Sequence, residues 1–138
     1  MRPRREGGKF LASKGFLLDT TVLIDFFRGR KEVVCLLEKL VEEAPLACCP
    51  VTVVEIFSGV RPEELSRIEE LLEALQYCAI QYKTARRAGL YRREYQKRGI
   101  TLSVSDTLIV AVAVENSLTL VTKNVRHFPM PELSAIEH

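Results

Sequence analysis

Tryptophan is absent from the 138-residue sequence, histidine occurs twice, and no apolar run approaches the length of a membrane-spanning helix. Such a helix needs about 20 predominantly apolar residues, so we predict no membrane segment. One of the two histidines is the last residue, His138, which leaves little material for a site built on a histidine pair. A hydrophobic content of 47% with 28% charged residues is typical of a globular protein, and the length fits one domain.

The N-terminal segment MRPRREGGKFLASKG is basic, and its apolar stretch is too short for the core of a signal peptide. We therefore predict a flexible basic tail over residues 1–15, a single domain over residues 16–138 and a cytoplasmic location. The four cysteines show no C-x-x-C spacing, which predicts buried reduced thiols rather than a zinc site. They are Cys35, Cys48, Cys49 and Cys78.

Short apolar segments without polar alternation recur between segments with helical periodicity. We predict strands at residues 15–19, 46–50, 77–82 and 118–124, with a further strand at 133–137. Buried strands separated by helices are typical of a parallel sheet that is covered on both faces. The predicted fold class is α/β, with a central parallel sheet of four or five short strands. In such sheets ligands bind beyond the carboxyl ends of the strands.

Aspartate is scarce, with three residues among the 18 acidic ones, so each can be considered individually. Asp19 closes the first predicted strand. Asp106 lies in the first turn of a strongly apolar helix, and Glu55 is predicted in the first turn of the helix after the second strand. Each acid could simply cap a helix, because Thr52–Glu55 and Ser103–Asp106 match the capping-box pattern and Asp19 precedes a helix.

The three acids fall on the same rim of the predicted sheet and are expected to meet at one point, where their charges would repel. Hard divalent cations such as Mg²⁺ or Mn²⁺ prefer oxygen ligands, usually a few carboxylates with water and substrate phosphate. A cation between the acids would remove the repulsion. We therefore predict a metal-dependent phosphoryl-transfer site at this rim, in preference to three unrelated helix caps.

The fourth predicted strand ends in the sequence VTKNVRHF, which brings further polar side chains to the same rim. Thr122 and Asn124 could orient a water or a metal ligand, while Lys123 and Arg126 could hold phosphate. Taken singly, Asn124 is as readily a turn residue, and His127 a packed or surface imidazole.

Two other charge patterns lie outside this rim. Asp25 is predicted to point away from the strand end and to pair with Arg28 at position i+3 of the same helix. Residues 83–99 carry seven basic side chains against Glu94 alone, which predicts a strongly cationic face.

Four segments resemble, in their order and spacing, the motifs of the PIN-domain family, and within it the VapC-type toxins of toxin–antitoxin pairs. They are LLDTTVLIDFFRG, VTVVEIFSG, SVSDTLIVAVA and LVTKNVRHF, spread over residues 16–128. The resemblance implies a three-layer α/β/α domain and an endoribonuclease that depends on Mg²⁺ or Mn²⁺. It also implies a homodimer that a small VapB-like antitoxin holds inactive.

The resemblance assigns roles to the matching positions. Asp19 and Asp106 become the principal metal-binding acids, and Glu55 becomes an assisting acid. Thr21 and Ser105 become polar supports of the site.

The last motif departs from the family pattern. Many members carry a fourth acid there, where this sequence has Asn124 and His127. Asn124 is therefore included in the predicted catalytic set, with Thr122 as a further polar support. Three acids in place of four weaken a two-metal site, so we expect one tightly held metal and a second brought only by RNA.

An RNA substrate makes the cationic helix a candidate for backbone binding, because phosphate contacts supply salt-dependent affinity without sequence information. A solvated basic face is an equally open interpretation. The predicted RNA-binding residues are Arg86, Arg93, Lys97, Lys123 and Arg126.

Three alternatives to a toxin ribonuclease stay open at this point. The first is a PIN-domain nuclease that acts in RNA processing or DNA repair. The second is a non-catalytic PIN-like binding module in which the acids only cap helices. The third is a receiver-like phosphoacceptor domain, although the first strand lacks the paired acids that such a domain needs.

Overall fold

The computed structural model describes residues 13–138, in which five parallel strands alternate with helices. The strands are β1 (Phe16–Leu18), β2 (Leu46–Cys48), β3 (Gln76–Tyr77), β4 (Thr119–Thr122) and β5 (Ala135–Glu137). The helices are α1 (Thr20–Phe27), α2 (Lys31–Glu43), α3 (Pro50–Gly59), α4 (Leu65–Glu73), α5 (Tyr82–Lys97) and α6 (Val104–Glu115). Short 3-10 turns occupy Pro62–Glu64 and Val125–His127.

The strand order is β3-β2-β1-β4-β5, and every neighbouring pair is parallel. The predicted α/β class and parallel sheet are therefore confirmed. A receiver-like domain has the order 2-1-3-4-5, so that alternative is wrong. Because β1 lies at the centre of the sheet, the residue that follows it lies at the middle of the carboxyl edge.

Side chains of the central strand alternate between two hydrophobic layers. Leu17 packs into a cluster with α5 and α6, whereas Phe16 and Leu18 pack with α1, α2 and α4 on the opposite face. Both faces of the sheet are thus covered, which confirms the three-layer α/β/α architecture. Cys48 and Cys49 likewise point into opposite layers.

Two predicted boundaries differ from the structure. The second strand ends at Cys48 and α3 already begins at Pro50, because the fixed φ of proline suits the first position of a helix. The third strand covers Gln76–Tyr77 rather than residues 77–82. It is an edge strand that pairs with β2 alone, and α5 starts as early as Tyr82.

Three of the four predicted buried thiols are buried, and all four cysteines are free. The prediction is wrong for Cys35, which is exposed on α2. Burial raises the pKa of Cys48 to about 11, as expected of an unreactive thiol. Across residues 13–138 no helix is long and apolar enough to cross a membrane. Residues 1–12 of the predicted basic tail lie outside the described residues, so that tail stays a prediction.

Candidate active site

Asp19 lies at the middle of the carboxyl edge and caps α1. Its Oδ1 accepts a hydrogen bond from the Thr20 backbone N–H at 2.8 Å, so the capping interpretation holds for one oxygen. Its Oδ2 accepts a hydrogen bond from the Thr122 hydroxyl at 2.9 Å. Because β1 and β4 are parallel neighbours with Leu18 opposite Val121, the residues that follow this pair meet. Asp19 is therefore both a helix cap and a member of a polar site.

The pKa of Asp19 lies above its ordinary value. Burial is the largest cause; the hydrogen bonds from Thr122 and from the Thr20 N–H oppose it, and the negative charge of Asp106 raises the pKa further. The charge of His127 lowers the pKa of Asp19. A partly buried carboxylate with a second carboxylate near it is the electrostatic setting that favours a bound cation.

Asp106 lies in the first turn of α6, as predicted. The Ser103 side chain caps this helix by accepting the Asp106 backbone N–H at 3.0 Å. This bond is one half of the predicted capping box, and it uses the Asp106 amide rather than its carboxylate. The carboxylate is instead close enough to Asp19 to raise the pKa of that residue.

Glu55 occupies a different position from the predicted one. Since α3 begins at Pro50 with Cys49 as its N-cap, Glu55 lies in the second turn, and the predicted Thr52–Glu55 capping box is wrong. Glu55 Oε1 accepts a hydrogen bond from the Thr20 hydroxyl at 2.5 Å. Thr20 therefore contacts two of the three predicted acids, Asp19 through its N–H and Glu55 through its hydroxyl.

The three acids do not form one ligand cluster. Within residues 13–138, no group of three or more His, Cys, Asp or Glu side chains could hold a metal ion, so the expected meeting of three acids at one point is not found. Glu55 instead accepts a hydrogen bond from the Thr20 hydroxyl. The donor set that fits a hard divalent cation is the carboxylate pair of Asp19 and Asp106, with water completing the coordination.

The segment after β4 supplies the remaining polar groups. Thr122 Oγ1 accepts the Asn124 backbone N–H at 3.2 Å, and Asn124 Nδ2 lies 3.0 Å from His127 Nε2. The structure therefore brings Thr122, Asn124 and His127 to the rim that carries Asp19.

The roles of Thr21 and Ser105 as polar supports of the site stay predictions. Thr21 is exposed and Ser105 is half-buried. No hydrogen bond joins either side chain to the acids in the part of the chain that the structure describes. Sequence reasoning missed Thr20, although its place directly after the strand-end aspartate was a usable signal.

A pocket of about 360 Å³ lies beside Asp106. Arg126 and His127 line it together with Ser103, and Leu102 and Pro129 contribute apolar surface. The predicted phosphate-binding Arg126 is thus next to one of the two paired acids.

Lys123 and Asp25 form an ion pair that the sequence patterns did not predict. Asp25 is 7% exposed, and its Oδ2 lies 2.5 Å from Lys123 Nζ. Arg30 Nε lies 3.2 Å from the other oxygen. The predicted pairing of Asp25 with Arg28 is wrong, because Arg28 bonds to Glu64 at 2.8 Å.

The basic helix α5 is only partly neutralised. Arg87 pairs with Glu115 at 2.6 Å, and Arg98 pairs with Glu94. A groove of about 650 Å³ runs along this helix. The predicted RNA-binding residues that line it, and that form no ion pair within residues 13–138, are Arg86, Arg93 and Lys97.

Comparison with known proteins gives one family. The PIN domain model matches residues 16–131. The ribonuclease VapC19 of Mycobacterium tuberculosis is 34% identical over 119 residues, which cover 85% of this chain and 95% of that protein.

Solved structures agree with this result. VapBC2 from Rickettsia felis, bound to a promoter DNA fragment, gives a TM-score of 0.79 at 22% identity, covering 89% of this chain and 98% of that chain. A toxin–antitoxin complex from Klebsiella pneumoniae gives 0.74 at 29% identity, covering 88% and 96%. The chain therefore belongs to the PIN domain family and, within it, to the VapC ribonucleases.

Proposed function

We propose that this chain is a divalent-metal-dependent endoribonuclease in which Asp19 and Asp106 hold the cation. The carboxylate pair is the observation that supports this most strongly: Asp19 is partly buried, and Asp106 is close enough to raise its pKa. Divalent-metal dependence is general among ribonucleases of this family. Mg²⁺ or Mn²⁺ is the proposed ion, because the donors are oxygen atoms.

The protein groups around the pair position the acids. The Thr122 hydroxyl and the Thr20 N–H each donate to one oxygen of Asp19, which fixes the plane of its carboxylate. The Thr20 hydroxyl donates to Glu55, the proposed assisting acid, and Thr20 directly follows Asp19 in the sequence. A bound cation would supply a water of lowered pKa and stabilise charge on phosphate oxygens.

The remaining polar residues are assigned to substrate. Asn124 and His127 form a hydrogen-bonded pair at the rim, where they could contact the sugar–phosphate backbone. Arg126 lines the pocket beside Asp106. The groove of α5 would bind phosphates farther along the RNA through Arg86, Arg93 and Lys97, in a sequence-independent manner.

A cleavage assay tests the proposal. The purified protein should cut RNA in the presence of Mg²⁺ or Mn²⁺, and EDTA should stop the reaction. Asp19→Asn and Asp106→Asn should each lower the rate by at least about a hundredfold, with circular dichroism spectra unchanged. Glu42→Gln, on the exposed face of α2, is the matched control and should cut like the wild type. Cutting that survives both Asp→Asn substitutions would rule out the assignment.

We further propose that a VapB-like antitoxin docks in an apolar groove of about 680 Å³ between α1, α2 and α4. The groove is lined by Leu23 and Phe26 of α1 and by Val41 of α2, a residue that is 53% exposed. The Klebsiella pneumoniae structure, at 29% identity, is a toxin–antitoxin complex. An apolar segment of an antitoxin would cover this exposed surface.

Substitution in the groove separates antitoxin binding from catalysis. Val41→Asp should reduce co-purification of the antitoxin encoded beside this gene, because it places a charge in the apolar groove, and should leave RNA cleavage by the free protein unchanged. Leu65→Asp, an exposed apolar residue outside the groove, is the control. Full antitoxin retention by the Val41 variant would place the antitoxin elsewhere.

The rival functions have their own tests. A nuclease of RNA processing or DNA repair would lack an adjacent antitoxin gene and would not arrest growth on expression. A non-catalytic module would not bind Mn²⁺ through both acids. The homodimer and the cytoplasmic location stay predictions; the mass of the purified protein in solution tests the former.

A further inference from the structure

We propose that Asp25 is a positioning residue of the active site, which acts through Lys123 on the turn that carries Thr122. This inference rests on the proposed function, because the property it affects is the affinity of the Asp19–Asp106 pair for a cation. Asp25 touches none of the reacting groups in this scheme. Its contribution is to hold one end of a short chain of contacts that ends at Asp19.

The first contact is an ion pair between a buried carboxylate and two exposed cations. Asp25 is 7% exposed on α1, and its carboxylate lies between the Lys123 ammonium at 2.5 Å and the Arg30 guanidinium at 3.2 Å. A carboxylate removed from water to this degree is stable only when it is paired. The ion pair with Asp25 therefore restrains the Lys123 ammonium, although the Lys123 side chain is 42% exposed.

The second step, from Lys123 to Asp19, runs through the backbone and the Thr122 hydroxyl. Lys123 stands between Thr122 and Asn124. The Thr122 hydroxyl accepts the Asn124 N–H at 3.2 Å and donates to Asp19 Oδ2 at 2.9 Å. Residue 123 is thus the middle of a turn whose two flanking residues are both bonded through the Thr122 hydroxyl. Holding the side chain of Lys123 restrains the turn that aims this hydroxyl at Asp19.

Arg30 provides a contrast within the same ion pair. Arg30 binds the same carboxylate as Lys123, but it lies directly before α2. Within residues 13–138, no hydrogen bond or ion pair joins Arg30 to the turn after β4. Removing either cation deletes one positive charge beside Asp25. Only removal of Lys123 frees the turn, so the two substitutions separate positioning from charge.

Removal of the Lys123 ammonium has two possible effects on Mn²⁺ affinity, and they have opposite signs. A positive charge near two metal-binding acids repels a divalent cation, so its removal alone would tighten Mn²⁺ binding. Loss of positioning would weaken Mn²⁺ binding, because groups that orient metal ligands typically contribute about 10- to 100-fold in affinity. A direct phosphate contact by Lys123 would change RNA affinity and leave Mn²⁺ affinity without RNA unaltered or tighter.

The experiment is a Mn²⁺ titration of the 138-residue chain in the absence of RNA, with binding measured by electron paramagnetic resonance. Lys123→Met and Lys123→Gln should each raise the dissociation constant by about tenfold. Arg30→Met should leave it unchanged or lower it. Lys123→Arg, which keeps the charge and the reach of the side chain, should bind Mn²⁺ within about twofold of the wild type. Equal or tighter binding by the Met and Gln variants would overturn the proposal.

Amide hydrogen exchange of the metal-free protein supplies an independent readout. The Asn124 N–H, which donates to Thr122, should exchange faster in Lys123→Gln than in the wild type or in Arg30→Met. Unchanged exchange at this amide would contradict the proposed restraint of the turn.

Asp19→Asn separates the two proposals. If this variant binds Mn²⁺ as tightly as the wild type, the proposed metal site itself is wrong. If it loses Mn²⁺ binding while the Lys123 variants bind normally, the metal site stands and only the positioning role of Asp25 fails.

Discussion

Thr20 connects two acids that lie on different elements. Its N–H binds Asp19, which follows β1, and its hydroxyl binds Glu55 on α3. A threonine directly after a strand-end aspartate can make both bonds because it is the first residue of α1, where backbone N–H groups have no partner within the helix. One residue thus connects two acids that lie far apart in the sequence.

We predict that Thr20→Val lowers the rate of RNA cleavage by about tenfold. Valine keeps the size and the backbone N–H but lacks the hydroxyl that holds Glu55, so Glu55 loses its orientation. Single-turnover cleavage measures the effect. Thr21→Val, at the exposed neighbouring position, is the control and should cleave like the wild type. Equal rates for both variants would show that the Thr20 hydroxyl has no role.

The residues at the site were predictable to different extents. Asp19 and Asp106 could be identified because a lone aspartate at a strand end or helix start marks the carboxyl edge of a parallel sheet. The partner of Asp25 could not, because the i+3 rule considers only the same helix, whereas Lys123 lies in the turn after β4, which is distant in sequence. Glu55 was predicted in the wrong turn of α3 because the helix begins at Pro50.

At the scale of elements, α5 combines structural and functional charges. Its ion pairs with Glu115 fasten the helix to α6, while Arg93 and Lys97 line the groove without an ion pair in the described residues. The neutralised cations are a poor source of RNA affinity, since their phosphate contacts would first have to replace a carboxylate. Arg93 and Lys97 could bind phosphate without first breaking an ion pair of the described residues.

We predict that Arg93→Gln combined with Lys97→Gln weakens RNA binding and lowers its salt dependence. Each lost phosphate contact should reduce the slope of log affinity against log salt by about 0.7 for single-stranded RNA. Binding by the inactive Asp19→Asn protein at several salt concentrations gives this slope. Arg98→Gln, which removes a cation paired with Glu94, should change the slope less. An unaltered slope in the double variant would leave α5 as a solvated basic face.

Most elements were predictable because apolar strands and amphipathic helices have distinct periodicities. The exception is β3, whose two residues are both exposed and therefore carry no burial pattern. The order of the strands did not follow from periodicity either. The strand order depends on how the crossover helices pack on the faces of the sheet, which is a property of the assembled sheet.

At the scale of the whole molecule, the site has a measurable effect on stability. Burial and the charge of Asp106 raise the pKa of Asp19 above its ordinary 3.8. Between 3.8 and the raised value the folded state binds more protons than the unfolded state, so the free energy of unfolding decreases as pH rises through this window. At neutral pH the ionised Asp19 therefore destabilises the metal-free fold.

We predict that Asp19→Asn unfolds at a higher denaturant concentration than the wild type at pH 7, both without metal. The difference should shrink as the pH is lowered toward 4, because the wild-type carboxyl then becomes protonated. Addition of Mn²⁺ should stabilise the wild type and leave Asp19→Asn unchanged. A variant that is less stable than the metal-free wild type at pH 7 would contradict this description of Asp19.

The most direct test of the central claim is the anomalous scattering of Mn²⁺ in crystals of the wild-type protein. We predict a single strong peak within bonding distance of carboxylate oxygens of both Asp19 and Asp106, with no such peak in crystals of Asp106→Asn. A peak bound to only one of these residues, or strong peaks only elsewhere on the surface, would contradict the assignment of this pair as the metal site.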